Sequence, residues 1–584
     1  MTRTRSLFLI AFVLLATILL ANPFGQFAFN DDFSYSNLAF RWAQTGHLSF
    51  NGWNTSPLLV QVPLGGLLIR AFGFSYDALR WLTMAFYIGW AILLYDFFLE
   101  YGVSQAFAVF GVLAVTLSPL TIPLAGSFMT DIYGCFMFYA SLLAGLYSLK
   151  QTGSLARGGA WFLFSTIIGI VGGMNRQIVW LAPLVMILAA VVVHRKRPRF
   201  LVMVLANAML LFAAIWATMN WLKSQPSFQY EGLDLRLLFS VHSAINLIRY
   251  VLTCFLFSIP ILAGVSGTFR QAIKRSRLVA FAAGLTAIVA FGLLYITPHL
   301  PMGASGTVPS GEAPWIGNLV TIYGIMVESA DLLGHKPVIL SHTVRIVLTL
   351  LSLFAPILFL LVAFDRSNYL RLRRFAVDEA VVARALVLVL SLAGFFSLIL
   401  ERISPFDRYI IQILPFLFVL VVMLWPAPPR PARIGWLALV LFALYGICST
   451  HDYAAARRAS VHALQQMEQQ GIDRYQVTAG LELNGSDHLR KVDYMRVCTA
   501  NPPAGGPTCS NDFTGDWKTW WFRKATFSIG GEYALSYSDL PGYQRMDQFT
   551  QDFNAWIPPF HRQILCEKRV DLSSTEDSVR EPAH

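Results

Sequence analysis

Charge is what this 584-residue sequence has least of. Asp, Glu, Lys and Arg make up only 13% of it, while 56% is hydrophobic. A soluble domain needs roughly 25% charged residues to cover its surface, so a single water-soluble globule is excluded. Cysteine is also scarce. Of the six, Cys135, Cys254 and Cys448 lie in or beside apolar runs, where buried thiols are ordinary. Missing too are a His/Cys cluster with metal spacing, a glycine-rich nucleotide loop and any internal repeat, so a zinc module or a nucleotide-binding fold finds no support. The apolar stretches lack the two-residue alternation of a membrane barrel.

Present instead are recurrent apolar runs, each long enough to cross about 30 Å of hydrocarbon. They are rich in Leu, Phe, Ala and Val and read as helices, since lipid offers no partner to an open backbone. About thirteen spans are expected: 7–21, 79–98, 105–121, 132–149, 159–173, 179–193, 200–222, 247–267, 278–297, 343–363, 385–400, 409–425 and 434–450. The first follows MTRTR like a signal peptide, but no A-x-A site follows it, so it is expected to stay as an anchor. Loops 1–6, 99–104, 150–158, 194–199, 268–277, 364–384 and 426–433 hold 19 Lys/Arg in 66 residues, and the intervening loops hold 8 in 149. That bias puts the first set inside. It also makes residues 159–193 a hairpin, because both flanks are basic, with Asn175, Arg176 and Gln177 at the outer tip.

The expected architecture is an all-α polytopic membrane domain over 1–450, with an outer loop at 22–78, followed by a C-terminal α/β soluble domain over 451–584 on the non-cytoplasmic side. In that last part a helix is expected from Ala454 to Gln470, ending at Gly471, with short strands at Tyr475–Val477 and Tyr533–Tyr537. Cys498 and Cys509 flank a Pro/Gly-rich turn and are candidates for a disulfide in an oxidising compartment; two free thiols are the plainer alternative. Trp517, Trp520 and Trp521 can stack on sugar rings, although tryptophan clusters more often build a core. The net charge of +11 does not point to nucleic acid. Residues 451–584 carry 14 Lys/Arg against 17 Asp/Glu, so the excess lies in the membrane part, where it serves orientation and anionic lipid headgroups.

Three places carry candidate chemistry. Asn30-Asp31-Asp32 opens the outer loop, and residues 32–45 read as an interfacial helix that Asn30 or Asp31 can cap and Gly46 can end. One cap uses one carboxylate, which leaves the other unexplained. Asp131 stands at the outer start of a span, where it can serve the helix dipole or act as an ionisable functional group. By residue type alone, Arg176 at the hairpin tip, and Arg408 with Tyr409, read as interface anchors. They are also among the few cations on the acidic side, where an anionic ligand would need them.

In order and sidedness these residues resemble the GT-C superfamily of integral-membrane glycosyltransferases. More closely they resemble the dolichyl-phosphate-mannose protein mannosyltransferases and their bacterial relative, the lipid A aminoarabinose transferase. Asp31-Asp32 matches the acidic pair after the first helix, and Asp131 matches the second outer Asp. Thr55-Ser56-Pro57-Leu58-Leu59 through Phe72-Gly73 matches a Pro-containing stretch, and Asp407-Arg408-Tyr409 with Leu414-Pro415 matches a late "R-Y…P" motif. The resemblance covers roughly residues 1–425. It implies a polyprenyl-phosphate sugar donor, a glycan, lipid or protein acceptor and inverting transfer. Asp31, or else Asp32, would be the base, with Asp131 orienting the acceptor or holding the base. That family's usual Lys before the Pro contacts the donor phosphate and is Ser56 here. Arg176 or Arg408, with Tyr409, then has to bind the phosphate. A divalent metal is compatible with the carboxylates but not required by them. The implied location is the inner (plasma) membrane. A lipid-sugar flippase and a non-catalytic scaffold are the rival readings. A transporter would place its ionisable groups nearer mid-membrane and often shows inverted repeats.

The loop charges make one testable statement: a reporter active only outside the cytoplasm gives signal when fused after His584 and none when inserted at 194–199. The reverse pattern overturns the topology.

Overall fold

The computed structural model describes residues 2–151, 154–228, 240–267, scattered positions between 281 and 292, 312–327, 332–363, 379–400, 406–424, 430–492 and 532–570. The expected span 278–297, Cys498, Cys509 and the three C-terminal tryptophans lie wholly or largely outside these residues.

The described chain is mainly helical. Its helices are α1 (Arg3–Ala21), α2 (Asp32–Thr45), α3 (Gln61–Phe72), α4 (Tyr76–Glu100), α5 (Gln105–Thr116), α6 (Ile122–Ala125), α7 (Thr130–Lys150), α8 (Leu155–Gly173), α9 (Leu181–Val193), α10 (Pro198–Ser224), α11 (Val241–Phe257), α12 (Ile259–Gly264), α13 (His342–Ala363), α14 (Glu379–Leu400), α15 (Leu414–Leu424), α16 (Arg433–Gln469) and α17 (Leu481–Val492). Among the described residues seven are long and apolar enough to cross a membrane. Shorter apolar helices complete the bundle, some continued by a 3-10 turn as at Gln177–Trp180 and Asp407–Gln412. Phe8, Phe12, Val202, Trp216 and Leu441 point outward, as lipid-facing side chains do. This is a multi-pass membrane protein.

The core gathers on α7, which is enclosed on almost every side. Phe97 and Phe98 of α4, Tyr139 of α7 and Phe416 and Phe418 of α15 interlock there, with Tyr139 and Phe416 stacked at 5.5 Å. The start of α7, which carries Asp131, is thereby held by the best-packed part of the molecule.

The hairpin at 159–193 is present as α8, a short turn and α9. Its tip is not a solvent-facing anchor, because Arg176 is buried. The interfacial helix also forms as expected, over Asp32–Thr45 with Gly46 at φ 74° closing it. The capping expectation fails: Asp31 occupies the N-cap position but makes no side-chain cap bond. Its carboxylate is drawn elsewhere, as described below.

Helix α16 runs without a break through position 450. Its first half exposes Ile434, Leu437, Val440 and Leu444, and its second half buries Tyr453, Arg457, Ala463 and Met467. No separate helix begins at Ala454; this one helix ends at Gln469, ahead of Gly471 at φ 82°. Two short strands earlier in the chain, β1 (Val320–Thr321) and β2 (Gly324–Ile325), pair antiparallel, and beyond α16 lies a small sheet: β3 (Val477–Thr478), β4 (Tyr533–Ser536), β5 (Tyr543–Arg545), β6 (Gln551–Asn554) and β7 (His561–Arg569), ordered β3-β4-β7-β5 with β6 on β7. Of the strand expected at Tyr475–Val477 only Val477 is in one, because Arg474–Gln476 is a 3-10 turn leading into β3. Helix α17 joins this region to α2 and α4: a Cβ at Gly485 would meet the Phe33 ring of α2, and Tyr76 Oη of α4 lies 3.0 Å from Ser486 Oγ.

Helix α2 packs on α3 through small residues. A Cβ at Gly66 would run into the Trp42 ring and come within 3.1 Å of the Ala39 carbonyl, which cannot move aside. Gly66→Val is therefore expected to destabilise by about 1–3 kcal/mol through overpacking. The readout is the melting temperature in detergent, and an unchanged value contradicts this packing.

Candidate active site

The two residues of the acidic pair behave differently. Asn30, at φ 52°, turns the chain into α2, a conformation Asn tolerates better than most residues. Asp32 then faces inward, with no exposure to solvent. Its Oδ1 accepts from Phe29 N–H at 2.6 Å and its Oδ2 from Phe128 N–H at 3.2 Å. Asp32 thus ties the acidic loop to the approach of α7. Burial pushes its pKa up from 3.8 to about 7, opposed by the charge of Arg80 and by the two amides, while Glu482 adds to the rise.

Asp31 faces the other way. Trp53 Nε1 donates to its Oδ1 at 3.0 Å, and Arg408 Nη1 donates to its Oδ2 at 3.2 Å. Arg408 leaves the 3-10 turn Asp407–Gln412. Asp407 fixes that turn by accepting from Leu319 N–H at 2.9 Å and Val320 N–H at 2.8 Å. Burial works against the Arg408 cation, but Asp131 and Asp31 favour it, and its affinity for a proton ends above that of an ordinary guanidinium.

Asp131 is paired with the hairpin tip. Arg176 Nη1 lies 2.6 Å from its Oδ1 and donates to Thr130 Oγ1 at 3.0 Å. Both Asp131 oxygens are buried without an aligned hydrogen bond. Tyr409 joins the two pairs: the guanidinium of Arg176 is 5.4 Å from its ring and that of Arg408 is 5.8 Å from it. Tyr35, on the first turn of α2, feels the charges of Asp31, Arg408, Asp131 and Arg176 together. Burial, with Asp31 next, pushes its hydroxyl well above the usual phenol range, so it stays a donor.

The Pro-containing stretch closes the back of the site. Leu58 N–H and Leu59 N–H donate to the carbonyls of Asn175 and Met174 at 3.2 and 3.0 Å. Gln177 Nε2 reaches Thr55 O at 2.7 Å, and Asn175 Oδ1 accepts from Gln61 N–H at 2.8 Å. Leu58 is held at φ 61°, a strained value for Leu that these contacts over-determine. The residue where the resemblance expects a cation, Ser56, is thus two positions from the backbone that supports Arg176.

The structure therefore brings buried Asp131, Arg176 and Arg408 together with half-buried Asp31 and Tyr409 in one cluster, with Asp32 behind it. Sequence reasoning missed Trp53 and Tyr35. Tyr35 sits one helical turn from Asp31, a spacing that flags it; no local signal marks Trp53. Among the described residues no three His, Cys, Asp or Glu side chains come together as a metal cage. Asp31 and Asp131 each face an arginine instead, so the donor set does not fit a protein-held divalent ion.

No family model matches the chain, and no curated protein matches it. Among solved structures it is similar to ArnT from Cupriavidus metallidurans in the apo state, with 13% identity over 96% of this chain and 97% of that one and a TM-score of 0.42. The ArnT structure bound to undecaprenyl phosphate aligns over 98% and 99% at 13% identity, with a TM-score of 0.37. The archaeal oligosaccharyltransferase AglB from Archaeoglobus fulgidus, in complex with an inhibitory peptide and a dolichol-phosphate, aligns over 89% of this chain and 63% of that one, at 13% identity and a TM-score of 0.39. The functional reading rests on the geometry of the cluster itself.

The raised pKa of Asp32 has a signed consequence. A folded-state value above the unfolded one contributes stability at low pH that is lost as pH rises from about 4 to about 7. Asp32→Asn removes this titration. The melting temperature of wild type is expected to fall relative to Asp32→Asn over that window, and parallel curves contradict the assignment.

Proposed function

We propose that this protein is a membrane glycosyltransferase that moves a sugar from a polyprenyl-phosphate donor to an acceptor hydroxyl on the non-cytoplasmic face, with inversion. The observation that carries the reading is the pair of Asp–Arg contacts, half-buried Asp31–Arg408 and buried Asp131–Arg176, sharing Tyr409. Two guanidiniums a few ångströms from one ring offer forked donors to one phosphate. The carboxylates beside them offer a proton acceptor.

In this reading the donor phosphate draws Arg408 and Arg176 toward itself and loosens their hold on the carboxylates. Asp31 takes the proton from the acceptor hydroxyl as its oxygen bonds to the anomeric carbon. The bond from that carbon to the phosphate oxygen breaks, and the polyprenyl phosphate leaves with the electron pair. The arginines and the Tyr35 hydroxyl stabilise the charge left on it. Asp131 orients the acceptor. Asp32, its oxygens occupied by backbone amides, positions Asp31. The same geometry supports Arg176 in place of the cation missing at Ser56. The C-terminal α/β region would lie periplasmic or otherwise extracytoplasmic, as the loop charges imply. A flippase is less well served: these ionisable groups gather at the ends of helices on one side, joined to loops, rather than at mid-span.

Transfer by the purified protein from a panel of polyprenyl-phosphate sugars tests the reading. Asp31→Asn is expected to slow transfer by about 100-fold or more while donor binding persists. Arg408→Ala is expected to weaken donor binding by about 1.5–3 kcal/mol, as for one charged hydrogen bond. Normal transfer by a well-folded Asp31→Asn protein removes the carboxylate from the chemistry, and unchanged donor affinity removes the arginine.

A further inference from the structure

Residues 22–31 join α1 to α2 and contain no helix or strand. The left-handed turns at Asn22 (φ 44°) and Asn30 (φ 52°) mark their two ends. Such a segment needs partners for its backbone oxygens from elsewhere. Here two arginines supply them. Arg80 of α4 donates from Nη1 to Gly25 O at 2.5 Å and from Nη2 to Phe27 O. Arg458 of α16 donates from Nη1 to Asn22 O and Phe24 O, both at 2.9 Å. Asp77 completes the arrangement, accepting from Arg80 Nη1 at 2.9 Å and from Gly25 N–H at 2.7 Å. The Arg80 guanidinium also lies 4.8 Å from the Phe27 ring and 5.0 Å from the Phe29 ring.

A fully buried arginine is a costly way to hold a loop, because its desolvation is repaid only by good geometry. Asp77, 2.9 Å away, and the charge of Asp32 offset part of that cost. What a guanidinium adds is direction: fixed forks to carbonyls that only one path of the backbone can satisfy. Phe29, within this segment, gives its amide to Asp32, and Asp31 is two residues further on.

We propose that Arg80 and Arg458 form a carbonyl clamp that positions Asp31 in the site. The clamp rests on the transferase reading for its consequence, though not for its geometry. Neither arginine is placed against substrate. Both act through the backbone, one from a membrane helix and one from the helix that leads into the C-terminal region.

The experiment uses the full-length purified protein with Arg458→Gln and with Arg80→Lys, which keeps the charge and loses the fork. Steady-state transfer is measured beside amide hydrogen exchange of a peptide spanning residues 28–36. For variants with wild-type helical content, kcat is expected to fall about 10- to 100-fold, the scale of a misplaced reacting group. The KM for donor should stay near wild type, because Arg176 and Arg408 are untouched, and exchange at 28–36 should quicken. A lowered melting temperature with kcat intact overturns the clamp and leaves the arginines a purely stabilising role. If wild type transfers no sugar from any donor, the transferase reading fails instead. The exchange data then decide: unchanged protection of 28–36 in both variants overturns the clamp.

Discussion

Taking a carboxylate out of water is the constraint from which the rest of this structure follows. A buried ion survives only beside an opposite charge or several hydrogen bonds. Asp31 and Asp131 meet the demand with arginines, Asp407 mainly with a pair of backbone amides, and Asp32 with two backbone amides and the charge of Arg80. The two solutions have different consequences. A carboxylate held by amides is fixed for the life of the fold and organises the backbone around it. A carboxylate held by an arginine side chain can be released by anything that attracts the arginine more strongly.

That division explains why the elements converge as they do. Arg176 has to arrive on a hairpin tip and Arg408 on a turn between late helices, because each must reach a carboxylate far away in sequence. The Pro-containing stretch braces the hairpin tip through Leu58, Leu59 and Gln61, and Asp407 braces the turn through Leu319 and Val320. The well-packed core around α7 then supplies the rigidity that sites on loops lack.

Much of this was legible in the sequence, and the reasons are local. Apolar run length revealed the helices, and loop basicity revealed that 159–193 is a hairpin. Gly46 and the apolar pattern around Phe33 and Leu38 marked the extent of α2. Candidate residues were found because charge is rare here, so each outer Asp or Arg stood out. What stayed hidden depends on which way a side chain faces across sequence distance. Asp31 and Asp32 are equivalent as letters; only the turn at Asn30 sends one to Arg408 and the other to Phe128. Arg80 lies inside an apolar run, and its partners at Gly25 and Phe27 accept through backbone oxygen, which no sequence pattern encodes. The unbroken course of α16 was obscured by its change from lipid-facing to protein-facing side chains near residue 450.

The pairing of charges also constrains the order of events in the proposed reaction. Without a ligand, Asp31 and Asp131 are each quenched by an arginine, and a proton acceptor whose lone pairs are occupied is a poor base. A neutral acceptor brings nothing that competes for a guanidinium. A phosphate does, with more charge and more acceptor oxygens than a carboxylate. The donor must therefore come first: its phosphate takes up the arginines, the carboxylates are freed, and only then does the site acquire a base for the acceptor. Once Asp31 has given the acceptor's proton to the departing phosphate, the arginines return to Asp31 and Asp131 and the base is switched off again. Water reaching the empty site then meets a quenched carboxylate, and the base is exposed only while a donor occupies the site.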